Sequence, residues 1–248
     1  MKIFAVIPAR LSSTRLPRKV LADLGGHPLI WHVWQRVKQA KKIDQIFIAT
    51  DSDEVAEAAN GFGAQVLMTS PNCQSGTERL ASVMDQLNGD LILNVQGDEP
   101  LVDPGMLDAM VERWQAQPCD LITPVYRITE LADLLSPNIV KVARAASGQA
   151  LYFSRSPIPY LRDVPQQQWL EKARFWGHIG VYGYRRDVLA KYYELPVSLL
   201  EKMEKLEQLR FLEAGMTILT METEYRSVCV DTQEDLERVR GLIGNSIM

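Results

Sequence analysis

The chain has 248 residues, 46% of them hydrophobic and 23% charged, with a formal net charge of −4. These values suit one α/β domain, exclude a disordered chain, and argue against a general nucleic-acid binder, which carries a basic excess. No apolar run approaches a membrane span, and three cysteines without CxxC spacing point to neither a disulfide framework nor a zinc site, so a reducing cytoplasm fits best.

In chain order, Lys2–Ile7 is too short for a signal-peptide core and reads as a first strand. Further strands are expected at Gln45–Ala49, Ala64–Met68 and Asp90–Val95. Between them Leu29, Ile30, Val33, Trp34 and Val37 recur at helical spacing, as do Val55, Ala58, Ala59 and Phe62, then Leu80, Val83, Met84 and Leu87. Strands alternating with amphipathic helices predict a parallel sheet flanked by helices. After about residue 120 the rhythm changes: Asn138–Ala145, Ala150–Phe153 and Ile179–Tyr184 read as strands, with a long break over Pro157–Lys172. This predicts a mixed or antiparallel subregion inserted beside the main sheet at about 120–185. One helix is then expected over Val197–Ala214, a strand at Thr217–Met221, and a last helix from about Gln233 to Leu242.

The first loop, Ala9-Arg10-Leu11-Ser12-Ser13-Thr14-Arg15-Leu16-Pro17-Arg18-Lys19, carries four cations and three hydroxyls beyond the end of a strand, where α/β sheets bind ligands. A polyphosphate cradle and a solvated basic loop both fit this composition. It is neither a Walker A loop nor a GxGxxG fingerprint. The strand ending at Val95 runs into Gln96-Gly97-Asp98-Glu99-Pro100. An acidic pair there is costly unless a cation or hydrogen bonds compensate it, and Asp98 so placed can bind Mg²⁺. Asp231 follows the strand-like Ser227–Val230. It offers a second carboxylate, although from spacing alone Asp231 or Thr232 ahead of Glu234 reads more readily as a helix cap. Ser75, Gly76 and Glu78 likewise read as a helix start, whose free N–H groups could face a base or ribose.

These segments together resemble the 3-deoxy-manno-octulosonate (Kdo) cytidylyltransferases. The resemblance spans nearly the whole chain: PAR-LSSTRLPRK at 8–19, QSGTERLA at 74–81, NVQGDEP at 94–100, ALYFSRSPIPY at 150–160, HIGVYGYRR at 178–186, LEQLR at 206–210 and VDTQEDLERVR at 230–240. It implies a nucleotide-diphospho-sugar-transferase-like, Rossmann-like α/β fold in a single domain over 1–248, with the inserted subregion adding sugar-binding residues and dimer contacts. It also implies a homodimer that uses CTP, Kdo and Mg²⁺ to make CMP-Kdo for lipopolysaccharide or capsule, with no nucleic-acid or membrane partner. By matching motif, Arg10, Arg15 and Lys19 would hold the triphosphate, and Ser75, Gly76, Arg79 and Gln96 would surround the cytidine. Asp98 and Asp231 would bind the metal, with Arg10, Lys19 and both aspartates carrying catalysis. Arg155, His178, Tyr182, Glu207 and Gln208 would form the sugar-acid pocket.

A bidentate arginine suits a carboxylate, although Arg155 also reads as a surface ion pair. His178 fits a hydrogen-bonded core histidine as well as a ligand contact, and in one strand it would share a face with Tyr182. Glu207 and Gln208, taken without the resemblance, read as solvated positions beside the buried Leu206, Leu209 and Leu212. Arg18 stands where the family often has Gly, Val20 where a second Pro is common, and Val228-Cys229 where Pro-Gly is typical. Three rival readings remain. One keeps the chemistry with another acidic acceptor (an amino-Kdo analogue, a nonulosonate or a phosphonate), another is a sugar-1-phosphate nucleotidyltransferase, and the third is a non-catalytic nucleotide-binding module.

Overall fold

The computed structural model describes residues 1–13 and 15–244; Thr14 of the basic loop lies outside them. In chain order the elements are β1 (Ile3–Ala9), β2 (Asp23–Leu24), β3 (His27–Pro28), α1 (Leu29–Val37), β4 (Gln45–Thr50), α2 (Asp53–Gly61) and β5 (Gln65–Met68). Then come α3 (Gly76–Ala81), β6 (Leu91–Asn94), α4 (Pro104–Ala116), β7 (Leu121–Ile128), α5 (Leu131–Leu135), β8 (Lys141–Arg144) and β9 (Ala150–Ser154). The chain closes with α6 (Trp169–Lys172), β10 (Phe175–His178), β11 (Tyr182–Arg185), α7 (Arg186–Ala190), α8 (Leu199–Glu204), α9 (Gln208–Glu213), β12 (Ile218–Glu222) and α10 (Gln233–Gly244).

All strands but the β2–β3 pair join one sheet in the order β5-β4-β1-β6-β11-β7-β10-β8-β9, with β12 paired to β7. The half made of β5-β4-β1-β6 is parallel throughout. The antiparallel strands from 120–185 do not sit beside this half; they continue it. β11 runs antiparallel between β6 and β7, and β10, β8 and β9 extend the sheet outward. One apolar layer, including Leu29, Ile30, Val33 and Val37 of α1 with Met106 and Met110 of α4, covers one face. A second, including Leu80, Leu189, Leu209 and Phe211, covers the other. Each such side chain stabilises the fold by roughly 1.5–3 kcal/mol on burial. Among the described residues no helix is long and apolar enough to cross a membrane.

Several expectations need correction. The helix expected over Val197–Ala214 is two helices, because Lys205 takes a left-handed conformation (φ 57) that ends α8 and turns the chain before α9. The periodic run to Leu87 closes its regular helix at Ala81, leaving a 3-10 turn over Met84–Gln86. Ser227–Val230 forms no strand. The strand expected at Ile179–Tyr184 begins only at Tyr182, so His178 and Tyr182 stand on different strands. Two elements carried misleading punctuation. β7 contains Pro124, which a central strand rarely tolerates; its carbonyl still accepts from Ile179 N at 3.1 Å. α4 opens on Asp103-Pro104-Gly105, a turn signature that is in fact a capped start, with Asp103 accepting from Gly105 N and Met106 N.

Candidate active site

The cleft lies past the carboxyl ends of β1 and β6, where a parallel sheet presents its loops. It has a volume of about 290 Å³ and is lined by Arg10, Arg15 and Lys19 from the first loop, and by Ser75, Gly76 and Arg79 from the start of α3. Gln96, Gly97 and Asp98 after β6, Glu207 before α9 and Asp231 before α10 complete it, so the expected nucleotide and metal residues converge here. Gly97 makes the convergence possible. A Cβ there would stand 2.6 Å from the Pro8 carbonyl oxygen, so any other residue would force the two strand ends apart.

Lys19 joins the two acidic segments. Its Nζ donates to Asp98 Oδ2 at 2.7 Å and to Asp231 Oδ1 at 2.9 Å, and Arg15 reaches the other Asp231 oxygen at 3.1 Å. Burial pulls the Lys19 ammonium down, but the two carboxylates outweigh it and hold its pKa above the ordinary lysine value. Two carboxylates thus face one cation-sized point. That donor set fits Mg²⁺, which commonly takes one or two carboxylates and completes its shell with water and substrate phosphate. Among the described residues no group of three or more His, Cys, Asp or Glu converges on such a point.

Capping of the last helix falls to Thr232 rather than Asp231. Thr232 caps α10: its Oγ1 accepts from Asp235 N at 3.2 Å, and Asp235 Oδ2 accepts in return from Asp231 N and Thr232 N. The partner in the box is Asp235, not Glu234, and the Asp231 side chain is left to Lys19 and Arg15. Val230 N donates to Asp98 O at 2.9 Å, tying the two aspartate segments together. Behind them Glu99 is 1% exposed. Burial, reinforced by the charge of Asp98, lifts its pKa to about 7; hydrogen bonds from Ser227 and Cys229 pull the other way. Cys229 Sγ lies 3.6 Å from Glu99 Oε1. Arg18 explains the family's usual glycine, since it adopts φ 58 and ψ 29. Cys229 is not among the described residues with positive φ, so its backbone conformation does not call for glycine.

Ser75 caps α3, accepting from Glu78 N at 3.1 Å, while Glu78 accepts from Gln74 N at 2.8 Å. Arg79 is 3% exposed, paired with Asp51 at 3.3 Å and bonded to Thr69 Oγ1, so its guanidinium is held rigidly under the cleft. Gln96 Nε2 donates at 3.3 Å to both Asn94 Oδ1 and Gly180 O. Glu207 is half-buried: desolvation raises its pKa, partly offset by hydrogen bonds from Thr77 and Ser75. Gln208 is buried, and its Nε2 has no partner. Thr77 also meets the buried Tyr184 hydroxyl at 3.0 Å. Both residues lie inside motifs read from the sequence, yet only the fold shows that they back Glu207.

His178, Tyr182, Gln208 and Arg155 do not line the cleft itself. The rings of His178 and Tyr182 lie 5.2 Å apart although they come from different strands. Thr123 Oγ1 lies within hydrogen-bond distance of His178 Nε2 (2.9 Å), Val181 O (2.8 Å) and Ile179 O (3.2 Å), and burial pushes the imidazole pKa down to about 3. Arg155 faces away from the expected role. Its guanidinium donates to the carbonyls of Glu204 (2.7 Å), Pro137 (2.9 Å) and Lys205 (3.4 Å), not to a carboxylate and not into the cleft.

Comparison with known proteins agrees with this geometry. A family model described as Cytidylyltransferase matches residues 4–218. A 3-deoxy-manno-octulosonate cytidylyltransferase of Geobacter sulfurreducens is 45% identical, covering 96% of this chain and 98% of its own. That of Solibacter usitatus is 46% identical over 100% and 96%. A CMP:2-keto-3-deoxy-manno-octonic acid synthetase solved in complex with CTP superimposes with a TM-score of 0.93 at 41% identity, covering 99% of this chain and 100% of that one. A 4-diphosphocytidyl-2C-methyl-D-erythritol synthase of Anaerococcus prevotii, 12% identical with a TM-score of 0.63 over 98% of each chain, shares the fold. A family model over most of the length, and relatives this similar from end to end, make the chain a member of the 3-deoxy-manno-octulosonate cytidylyltransferases within the cytidylyltransferase family.

Proposed function

We propose that the chain transfers CMP from CTP to the anomeric hydroxyl of 3-deoxy-D-manno-octulosonate and releases pyrophosphate. The observation that carries this reading is the meeting of the basic first loop with Asp98 and Asp231 across one cleft. Arg10, Arg15 and Lys19 bind the triphosphate and offset the charge that develops on departing pyrophosphate. The helix start at Ser75 and Gly76, the buried Arg79 and Gln96 hold the cytidine end. Asp98 and Asp231 would hold Mg²⁺, which when bound neutralises α-phosphate charge and lowers the pKa of the attacking hydroxyl.

Positioning does the rest, because phosphoryl-type transfer needs little covalent help from the protein. His178 stays neutral and is held by its Nε2 contact with the Thr123 hydroxyl. Tyr182, Glu207 and Gln208 form the sugar end with it. Gln208 Nε2, a buried donor without a partner, costs free energy until a ligand oxygen accepts from it. As expected from the family, we place the enzyme in the cytoplasm as a homodimer; sedimentation of the purified chain checks the second point.

The test is pyrophosphate release with each of the four nucleoside triphosphates across a panel of acidic sugars. Product with CTP and Kdo alone is expected. Release with a different acceptor reassigns the sugar, and no release with any pair leaves only nucleotide binding.

A further inference from the structure

Lys141 is 0% exposed, yet no carboxylate neutralises it among the described ion pairs. Its Nζ donates to Ser136 O and Ile139 O, each at 2.7 Å, and to Arg155 O. An ammonium buried this way is expensive, and an apolar residue would fill the space at lower cost. Burial and the nearby Arg155 charge lower its pKa, while Glu204 pulls the other way. Arg155 extends the same arrangement through its three carbonyl bonds to Pro137, Glu204 and Lys205. Glu204 closes it by accepting from Ser154 Oγ at 2.6 Å and from Arg155 N at 3.0 Å. Two cations therefore fasten residues 136–139, the end of β9 and the elbow between α8 and α9 to one another.

Both ends of this clasp lead to the sugar side. Lys141 pairs with Gly177 of β10, and His178 N donates to Val140 O at 2.9 Å. At the other end the left-handed Lys205 sets the direction in which Glu207 and Gln208 leave the elbow. No bond of the clasp reaches the first loop, Ser75 or Gln96. We infer that Lys141 is a positioning residue for the acceptor acid: with Arg155 and Glu204 it fixes the spacing between His178 and the Glu207-Gln208 pair, without touching substrate and without serving the nucleotide. The inference rests on the cytidylyltransferase reading of the cleft.

The experiment compares wild type, Lys141→Met, Lys141→Arg and Glu204→Ala by steady-state kinetics with Kdo and CTP varied separately. It adds calorimetric CTP binding and backbone amide exchange over 204–209. A misplacement of a fraction of an ångström predicts a rise of roughly tenfold in acceptor KM for Lys141→Met, a smaller rise for Glu204→Ala, and partial rescue by Lys141→Arg. CTP affinity should stay within about twofold of wild type, and amide exchange at 204–209 should quicken. Should Lys141→Met fail to fold, Glu204→Ala and Lys141→Arg carry the same comparison. Equal losses for both substrates, or an unchanged acceptor KM, overturn the inference alone. Wild type that releases pyrophosphate with no acceptor overturns the functional reading, and this inference with it.

Discussion

Gly97→Ala tests whether the site depends on two strand ends lying in near contact. The added Cβ would stand 2.6 Å from Pro8 O and 3.3 Å from Ile30 Cδ1, whereas real Cβ atoms essentially never come within 3.0 Å. The backbone must therefore part by at least 0.4 Å (3.0 − 2.6) to relieve the first contact. Neither neighbour yields easily, since Pro8 is registered against Ala49 in the sheet and Ile30 is wholly buried. Overpacking of this kind costs about 1–3 kcal/mol. For a domain of this length each kcal/mol lowers Tm by about 2–4 °C, so a loss of about 2–12 °C is expected in a calorimetric melt. Asp98 is the next residue, so its carboxylate moves with the peptide. A shift of several tenths of an ångström predicts a fall of roughly tenfold in pyrophosphate release, set against about a hundredfold for a full ångström. Gly105→Ala serves as the control: its Cβ meets Asp103 Oδ2 at an ordinary 3.4 Å inside α4, and it should stabilise by roughly 0.5–1 kcal/mol. A Gly97→Ala enzyme with wild-type melting and wild-type turnover would refute the reasoning.

Three further outcomes follow from the geometry. Thr232→Ala should cost about 1 kcal/mol of stability and keep metal binding, whereas Asp231→Asn should lose calorimetric Mg²⁺ binding; the reverse pattern would return Asp231 to capping. Lys19→Met should lower kcat/KM by roughly 10²–10³, read by pyrophosphate release, because it removes charge from the leaving group and from between two carboxylates. His178 has a folded pKa of about 3 against 6.5. The unfolded chain therefore takes up the proton first, and stability falls as pH drops through about 6.5 toward 3. Urea melts at pH 7 and pH 5 should show about 2 kcal/mol more loss for wild type than for His178→Gln; equal losses would show that His178 charges in the folded state.

The parallel half of the fold was legible because its strands and helices follow clean periodicities. The helix expected from Val55 to Phe62 gave α2 with a Ser52 cap, and Gln45–Ala49 gave all but the last residue of β4. The later half was harder for local reasons. Pro124 disguises a central strand, Asp103-Pro104-Gly105 disguises a helix start, and no sequence signal marks Lys205 as left-handed. In the cleft, the cation loop and Asp98 stood out because charge at strand ends needs compensation, whereas Asp231 also read as a helix cap. Glu207 and Gln208 did not stand out, since the neighbours that shield them, such as Thr77 and Ser75 beside Glu207, come from distant parts of the chain. Arg155 shows the converse: its residue type suits a carboxylate, but only the fold shows that three carbonyls hold it.

The place of β11 between β6 and β7 has a consequence for how acceptor choice can change. Asn94 is registered against Tyr182, and Gln96 is bonded to Gly180, so the strand leading to Asp98 and the segment leading to the sugar share hydrogen-bonded rails. Neighbouring strands keep a spacing of about 4.8 Å whatever their side chains. The sheet thus acts as a ruler between Asp98 and the proposed acceptor's near end. Acceptors of different length then have to be fitted at the far end, on α9 and the elbow before it. Altered sugar preference should accordingly arise from substitutions around Glu207 and Gln208, leaving the strands as they are.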